Sequence, residues 1–255
     1  MRLTVVGASG SLPGPASPAS CYLLEAAHDD GSGPRTWRVL LDLGNGALGA
    51  LQRHVDPTTI DAVLLSHLHA DHCLDLCGLY VWLKYHPDAP FARLPVWGPA
   101  GTAERMARAY DLDPEPGMTG EMDFHAWDAP VRIGPFHVEP VPVDHPVEAY
   151  GLRVEAHGRR LGYSGDTGPC AGLDRVAEGA DLLLAEAAFR EGEDNPPSLH
   201  LTGADAGRAA TAGGAARLLL THVPPWHDPA TARTEARSAY DGPVDLAADG
   251  VVCDV

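Results

Sequence analysis

Four residues that can bind a metal ion lie within six positions of one predicted loop. Residues 66–72 read Ser-His-Leu-His-Ala-Asp-His, directly after an apolar run that predicts a buried strand. In such a loop, His67 and His69 alternate and can face one metal ion, while Asp71 and His72 can face a second. Imidazole together with carboxylate suits Zn²⁺, and also Mn²⁺ or Fe²⁺. The alternative is a solvated polar turn, but such a turn rarely concentrates three histidines and an aspartate, so the pattern favours a metal site.

Single polar residues follow three later apolar runs and are candidates for further metal ligands. They are His145, Asp166 and His222, and each comes directly after a predicted strand. Alone, each is weak evidence, because a single histidine or aspartate at a strand end is usually a surface or capping residue. After so concentrated a first motif, their repeated placement favours a ligand role for all three.

The elements that must position these residues alternate between strands and helices. We predict strands near residues 3–7, 21–26, 37–42, 61–66, 94–97, 136–143, 150–155, 160–163, 181–185, 217–221 and 250–255. We predict helices near residues 46–55, 73–85, 102–110, 202–212 and 230–240, with Thr202 and Asp205 forming a capping box. A polar loop over 29–34 joins a hairpin, and 111–135 reads as loop with short strands. Strand-rich blocks recur in both halves, each followed by helices, which favours two helix-covered sheets in one domain over residues 1–255.

Composition places the chain among globular proteins with an acidic surface. Of 255 residues, 45% are apolar, and 35 acidic residues against 18 basic ones give a net charge of −17. A protein that binds nucleic acid through its phosphates usually has a basic face, so this balance argues against such a partner. Five cysteines, no signal-like start and no run of about 18 apolar residues favour a cytoplasmic protein without a membrane partner. Cys73 and Cys77 are interpreted as small buried residues.

Together, these residues resemble the metallo-β-lactamase superfamily across nearly the whole chain. The resemblance implies an α/β fold, namely an αβ/βα four-layer sandwich of two facing mixed β-sheets with helices outside. It implies one metal ion at His67, His69 and His145, a second at Asp71, His72 and His222, and Asp166 bridging the two.

Within this superfamily, the chain is similar to the ribonuclease Z-like branch. The segments that carry this likeness are the Gly/Ser loop 6–13, Leu-Asp-Leu-Gly at 41–44, Glu-Ala at 186–187, His-Leu-Thr at 200–202 and Leu-Thr-His at 220–222. In that branch, the histidine that matches His200 lies beside the metals without binding them, with the acidic residue that matches Glu186 behind it. The resemblance therefore implies catalytic roles for Asp71, His200 and Glu186. For His200, a capping or surface role next to Pro196 and Pro197 is the alternative.

The expected substrate depends on the interval between two of these segments. The tRNA-processing members carry a long protruding arm between the positions that match His145 and Asp166. Here Asp166 follows His145 by 21 residues, enough for a hairpin and nothing more. With the acidic net charge, this argues against tRNA as a partner. The overall likeness is to actinobacterial cyclic-nucleotide phosphodiesterases of the same branch, which implies a small anionic nucleotide, 3′,5′-cAMP, and a homodimer.

The resemblance also implies a reaction. Two divalent metal ions, with Zn²⁺ expected first and Mn²⁺ or Fe²⁺ as alternatives, would hold a bridging water and lower its pKa for in-line attack on phosphorus. The 3′ oxygen would leave on the opposite side, giving a 5′-monophosphate. His200 would stabilise or protonate that oxygen, while Glu186 would fix the tautomer of His200.

Other functions stay open at this point. A ribonuclease Z-like endonuclease acting on tRNA 3′ ends would need a basic groove, which a pair such as Arg159 and Arg160 hardly supplies. A thioester or lactone hydrolase of the same superfamily is disfavoured by the His-Leu-Thr segment. A non-enzymatic metal-binding protein is disfavoured by the complete set of candidate ligands and by the intact His200.

Overall fold

A computed structural model describes residues 1–29, 31 and 33–255. The strands are β1 (Arg2–Gly7), β2 (Cys21–Asp29), β3 (Pro34–Leu41), β4 (Ala62–Leu64), β5 (Leu94–Gly98), β6 (Met122–Ala126), β7 (Val131–Ile133), β8 (Phe136–Pro142), β9 (Tyr150–Ala156), β10 (Arg159–Tyr163), β11 (Leu182–Glu186), β12 (Leu218–Thr221), β13 (Val244–Leu246) and β14 (Val252–Asp254). The helices are α1 (Ala47–Leu51), α2 (Ala70–Cys73), α3 (Leu76–Tyr85), α4 (Thr102–Ala109), α5 (Ala171–Ala177), α6 (Gly203–Gly213) and α7 (Pro229–Ala239). Within the polar loop predicted over 29–34, Asp30 and Ser32 lie outside the described residues.

The strands form two sheets of seven strands each. The order is β14-β1-β2-β3-β4-β5-β6 in the first sheet and β13-β12-β11-β10-β9-β8-β7 in the second. Both sheets are mixed. In the first, β1 to β3 pair antiparallel and β3 to β6 pair parallel. In the second, β8 to β10 pair antiparallel and β10 to β13 pair parallel.

Apolar side chains form a core between the sheets and another outside each sheet. The central core joins residues of both sheets, such as Leu24 and Leu41 with Leu152 and Leu184. Helices α1 to α4 pack on the outer face of the first sheet, and α5 to α7 pack on the outer face of the second. Strands buried on both faces explain the nearly continuous apolar runs of the sequence. The predicted four-layer αβ/βα sandwich is therefore confirmed.

Two predicted helices differ in the structure. The helix predicted over 73–85 begins at Leu76, as α3, while Cys73 ends the separate short helix α2. Asp75 lies between the two helices, where its backbone N–H donates to Leu43 O at 3.1 Å and its carboxylate accepts from Leu48 N at 2.8 Å. The helix predicted over 46–55 is shortened to α1 and is followed by a 3₁₀ turn at Pro57–Thr59. The capping box of Thr202 and Asp205 is confirmed at the start of α6.

One edge of the sandwich collects the carboxyl ends of several strands. In the second sheet, β8, β10 and β12 run in the same direction and end at Pro142, Tyr163 and Thr221. In the first sheet, β4 ends at Leu64. Loops leaving parallel strands at such an edge are a common place for binding sites. Among the described residues, no helix is long and apolar enough to cross a membrane.

Candidate metal centre

The predicted metal ligands lie on the segments that leave this edge. After β4, His67 and His69 lie on a short loop and Asp71 and His72 lie in α2, while the loops after β8, β10 and β12 carry His145, Asp166 and His222. Each sheet thus supplies part of the cluster. The structure brings all seven residues together in two adjoining groups, His67, His69 and His145 in one and Asp71, His72, Asp166 and His222 in the other. Their role as ligands stays a prediction.

The first group consists of three imidazoles whose ring nitrogens converge. His67 Nε2 lies 3.0 Å from His69 Nδ1, which lies 3.2 Å from His145 Nε2. Burial lowers the pKa of His67 well below its ordinary value and also lowers the pKa of His69 and His145. Three neutral imidazoles with lone pairs aimed at one point form a donor set suited to a divalent metal ion.

The two groups meet at the carboxylate of Asp166. Its Oδ2 lies 3.7 Å from His67 Nε2 in the first group, while its Oδ1 lies 3.2 Å from His72 Nε2 and 3.4 Å from His222 Nε2 in the second. One oxygen therefore faces each group. This is the arrangement that a carboxylate shared by two metal ions requires.

The carboxylates around the second group favour a positive charge at that position. Burial opposes protonation of His72, but the carboxylates of Asp166 and Asp42 outweigh it and raise the pKa of His72 well above its ordinary value. The buried Asp166 Oδ1 has no hydrogen-bond partner among the described residues. A divalent cation would supply both the positive charge and the missing partner, so the residues present fit a metal ion.

The Gly/Ser loop supports the last of these residues, His222. The backbone of His222 is left-handed, with φ of 56°, and Ser11 N donates to His222 Nε2 at 3.3 Å. A Cβ at Gly10 would lie 2.1 Å from the carbonyl oxygen of His222, so only glycine permits this close approach. Ser9 Oγ donates to Leu12 O at 2.7 Å, so this hydroxyl is engaged within its own loop.

A buried carboxylate behind the cluster orients His72. Asp42 is fully buried, and its Oδ2 lies 2.7 Å from His72 Nδ1 and accepts a 2.6 Å hydrogen bond from the Tyr163 hydroxyl. Ser66 N and Ser66 Oγ donate to the same carboxylate at 2.7 and 2.8 Å. Holding Nδ1 of His72 in this way leaves Nε2 free for a metal ion. Asp42 lies in the Leu-Asp-Leu-Gly segment, but the sequence pattern did not predict this role, and it missed Tyr163, which lies three residues before Asp166.

We expect Tyr163→Phe to weaken metal binding by about 10–100-fold, because Asp42 loses the hydroxyl that fixes its carboxylate behind His72. Metal retained against a competing chelator measures the effect. Tyr22→Phe is the matched control, because Tyr22 is equally buried and packs against Tyr163 with ring centroids 5.2 Å apart, but its hydroxyl contacts Thr221 Oγ1 at 2.7 Å rather than Asp42. An equal loss of metal binding in the two variants would show that the effect comes from core packing and not from the hydrogen bond to Asp42.

His200 lies beside both groups and is held by Glu186. His200 Nδ1 is 2.9 Å from Glu186 Oε1, and its ring centroid lies 5.7 Å from that of His145 and 5.5 Å from that of His222. Glu186 is buried and accepts from Thr167 N at 2.9 Å and from Ala188 N at 3.2 Å. Burial lowers the pKa of His200, but the charge and hydrogen bond of Glu186 outweigh it and raise that pKa to about 9.

This pairing favours the protonated form of His200 beside the centre. With Nδ1 bonded to Glu186, the second ring N–H of His200 is the available acid. The structure brings together the two residues that sequence similarity had paired, although their catalytic roles stay predictions.

Cys73 is buried and donates to His69 O at 3.2 Å, and neither it nor Cys77 belongs to a group of possible metal ligands among the described residues.

Relatives of the chain match it over most of its length. The chain is 45% identical to the protein Rv1339 of Mycobacterium tuberculosis over 261 residues, covering 100% of this chain and 90% of that protein. It is 31% identical to a ribonuclease Z of Mycolicibacterium gilvum over 245 residues, covering 82% of this chain and 83% of that enzyme. The crystal structure of the metallo-beta-lactamase fold protein YhfI of Bacillus subtilis superposes with a TM-score of 0.85 at 28% identity, covering 99% of this chain and 98% of YhfI.

The family model for the beta-lactamase superfamily domain matches residues 37–223. This span includes every residue of both candidate ligand groups, together with Glu186 and His200. Similarity to ribonuclease Z and the convergent histidine and carboxylate side chains fit a metal-dependent hydrolase of the ribonuclease Z-like branch. The chain therefore belongs to the beta-lactamase superfamily.

Proposed function

We propose that the protein is a metal-dependent phosphodiesterase that hydrolyses a small cyclic nucleotide, 3′,5′-cAMP, to the 5′-monophosphate. The observation that carries this proposal is the His200–Glu186 pair beside two ligand groups that share Asp166. Phosphodiester cleavage expels an alkoxide, which needs a proton, and a charged imidazole at the edge of the candidate metal centre can supply it. A ribonuclease among the relatives supports phosphodiester chemistry.

The residues divide the proposed reaction between them. Bound divalent ions, of which we propose Zn²⁺ first, would neutralise the phosphate and make a water acidic enough to attack phosphorus. Asp71 is buried, and although burial raises its pKa, His222 and His72 outweigh this and hold the pKa well below its ordinary value. It is therefore ionised, which is the form in which it could hold a bound cation beside the attacking water. As the bond from phosphorus to O3′ breaks, His200 donates its free ring proton to that oxygen.

The shape of the segment between His145 and Asp166 supports a small substrate. The described residues of this interval hold β9 and β10, joined by a tight turn at His157 and Gly158, and no protruding arm. A tRNA would need phosphate contacts away from the cut site, and the net charge of −17 disfavours them. For a small anion, positive charge at the centre itself is sufficient.

A second candidate is a ribonuclease Z-like endonuclease. The 31% identity to a bacterial ribonuclease Z favours it. Both candidates use the same centre and differ only in substrate, so substrate choice decides between them.

Turnover of three substrates by the metal-loaded protein tests the proposal. We expect hydrolysis of 3′,5′-cAMP to 5′-AMP, slower turnover of 2′,3′-cAMP and no cleavage of precursor tRNA. Cleavage of the tRNA without hydrolysis of 3′,5′-cAMP would replace the proposal by the second candidate. A protein that holds two metal ions but cleaves none of the three would support a non-enzymatic role. Metal analysis of the purified protein identifies the ion.

The pH profile gives an independent check on the acid. If His200 donates a proton, activity is present while it is protonated and falls as pH rises through its pKa, which lies near 9 beside Glu186. Bound cations would lower the pKa of His200 in the wild type and the variant alike. Glu186→Gln also removes the carboxylate that raises this pKa, so activity falls at a pH about 1–3 units lower in the variant than in the wild type. The basic limb of kcat/KM against pH measures this. An unchanged basic limb would assign the proton to another group.

A further inference from the structure

A cavity of about 410 Å³ opens beside the candidate ligand His69. Its walls come from three places: residues 68–70 at the start of α2, the segment around α4, and the loop between β8 and β9. The residues that matter here are His69, Pro99, Ala100, Arg105, Val147 and Glu148. Because His69 forms part of the wall, a molecule held at the candidate metal centre can extend into this cavity.

Arg105 is the cation of this cavity. Among the described residues it has neither an ion-pair partner nor a side-chain hydrogen bond, whereas Arg108, one turn along α4, pairs with Glu104. Burial raises the pKa of the Cys73 thiol, and Arg105 is the strongest of the groups that oppose this, which places its charge near the end of α2. Arg105 is exposed, so a molecule in the cavity can reach its guanidinium group.

The wall of the cavity also carries a hydrogen-bond acceptor, the carboxylate of Glu148. Glu148 Oε1 accepts hydrogen bonds from Tyr150 Oη at 2.8 Å and from Ala100 N at 3.3 Å. Burial and the Glu148 charge raise the pKa of Tyr150 to about 12, so this tyrosine remains a donor. Pro99, Ala100 and Val147 supply apolar surface to the same wall. A second phosphate group would be repelled by the Glu148 carboxylate. A planar ring that carries both hydrogen-bond acceptors, for Arg105, and an amino group, for Glu148, matches the two charged residues and the apolar wall.

We propose that this cavity binds the nucleobase of the substrate, an amino-bearing base such as adenine, with Arg105 as a specificity-determining residue. The proposal rests on the function proposed above, in which the phosphate lies at the metal centre. Arg105 donates to ring nitrogens of the base, Glu148 accepts from its amino group, and the apolar wall packs against its face.

Ligand binding tests this without relying on turnover. The probes are 5′-AMP and ribose 5-phosphate, which share the sugar and phosphate but differ by the base, titrated calorimetrically into the metal-loaded protein. We expect 5′-AMP to bind the wild type at least about tenfold more tightly, and Arg105→Ala to remove most of that advantage while leaving ribose 5-phosphate unchanged. Arg108→Ala, on the same exposed helix, is the control and should keep the advantage.

The outcomes separate this inference from the proposed function. Equal affinity of the wild type for the two probes, or an equal loss for both in Arg105→Ala, would overturn the nucleobase site. If the base advantage depends on Arg105 but no cyclic nucleotide is hydrolysed, the inference stands and the proposed reaction fails. A matching steady-state result, a raised KM for 3′,5′-cAMP with little change for bis(p-nitrophenyl) phosphate, would support both.

Discussion

His200→Ala is expected to lower kcat for 3′,5′-cAMP by about 10²–10⁴-fold while leaving the metal content unchanged, because it removes the proposed general acid but none of the seven predicted ligands. Glu186 holds the imidazole 2.9 Å away and keeps it charged. Single-turnover kinetics on protein of measured metal content give the change. Turnover within a few-fold of wild type at normal metal content would mean that His200 does not assist the leaving group.

The leaving group itself provides the control for this variant. Bis(p-nitrophenyl) phosphate expels p-nitrophenolate, which departs without a proton, so His200→Ala should reduce its hydrolysis far less than that of 3′,5′-cAMP. Equal losses for the two substrates would point to a structural effect on the candidate metal centre.

Asp166→Ala is expected to reduce turnover by about 10³-fold or more and to lower the bound metal, since one carboxylate oxygen faces each ligand group. Metal analysis and turnover on the same preparation measure both effects. Asp174→Ala removes an exposed carboxylate from α5 in the same half of the chain and should leave both unchanged.

Circular dichroism of Asp166→Ala distinguishes loss of metal from loss of fold, because a buried aspartate contributes to both. A folded Asp166→Ala protein with two tightly held metal ions would exclude the bridging role. Metal loss with residual activity restored by excess Zn²⁺ would agree with it.

The fold was predictable because its buried strands can be recognised from the local amino-acid sequence. Strands buried on both faces need continuous apolar runs, and the runs at β4, β11 and β12 are evident in the amino-acid sequence alone. The division between α2 and α3 was not predictable, since it depends on Asp75 bonding to Leu43 and Leu48, far away in sequence. Helical periodicity records which face is buried and carries no information about such contacts.

The sequence likewise predicted the parts of the candidate site that have a local signal and missed a part that depends on a distant contact. Residues 67–72 were evident because their types and spacing lie within one short segment, and His145, Asp166 and His222 followed from their places at strand ends. Tyr163 was missed because its contact with Asp42 spans 121 positions. The only local signal of Tyr163 is its hydroxyl group at the end of an otherwise apolar strand, and many tyrosines in protein cores have the same placement.

Because the candidate ligands come from both sheets, a bound ion would act as a cross-link between the two halves of the sandwich. The folded chain presents the complete cluster and the unfolded chain does not, so metal affinity adds to the free energy of unfolding by mass action. Without a cation, the buried carboxylates of Asp71 and Asp166 lack the positive charge that a bound ion would supply. The temperature of unfolding should therefore rise with free metal concentration, and a chelator should expose the inter-sheet core to proteases.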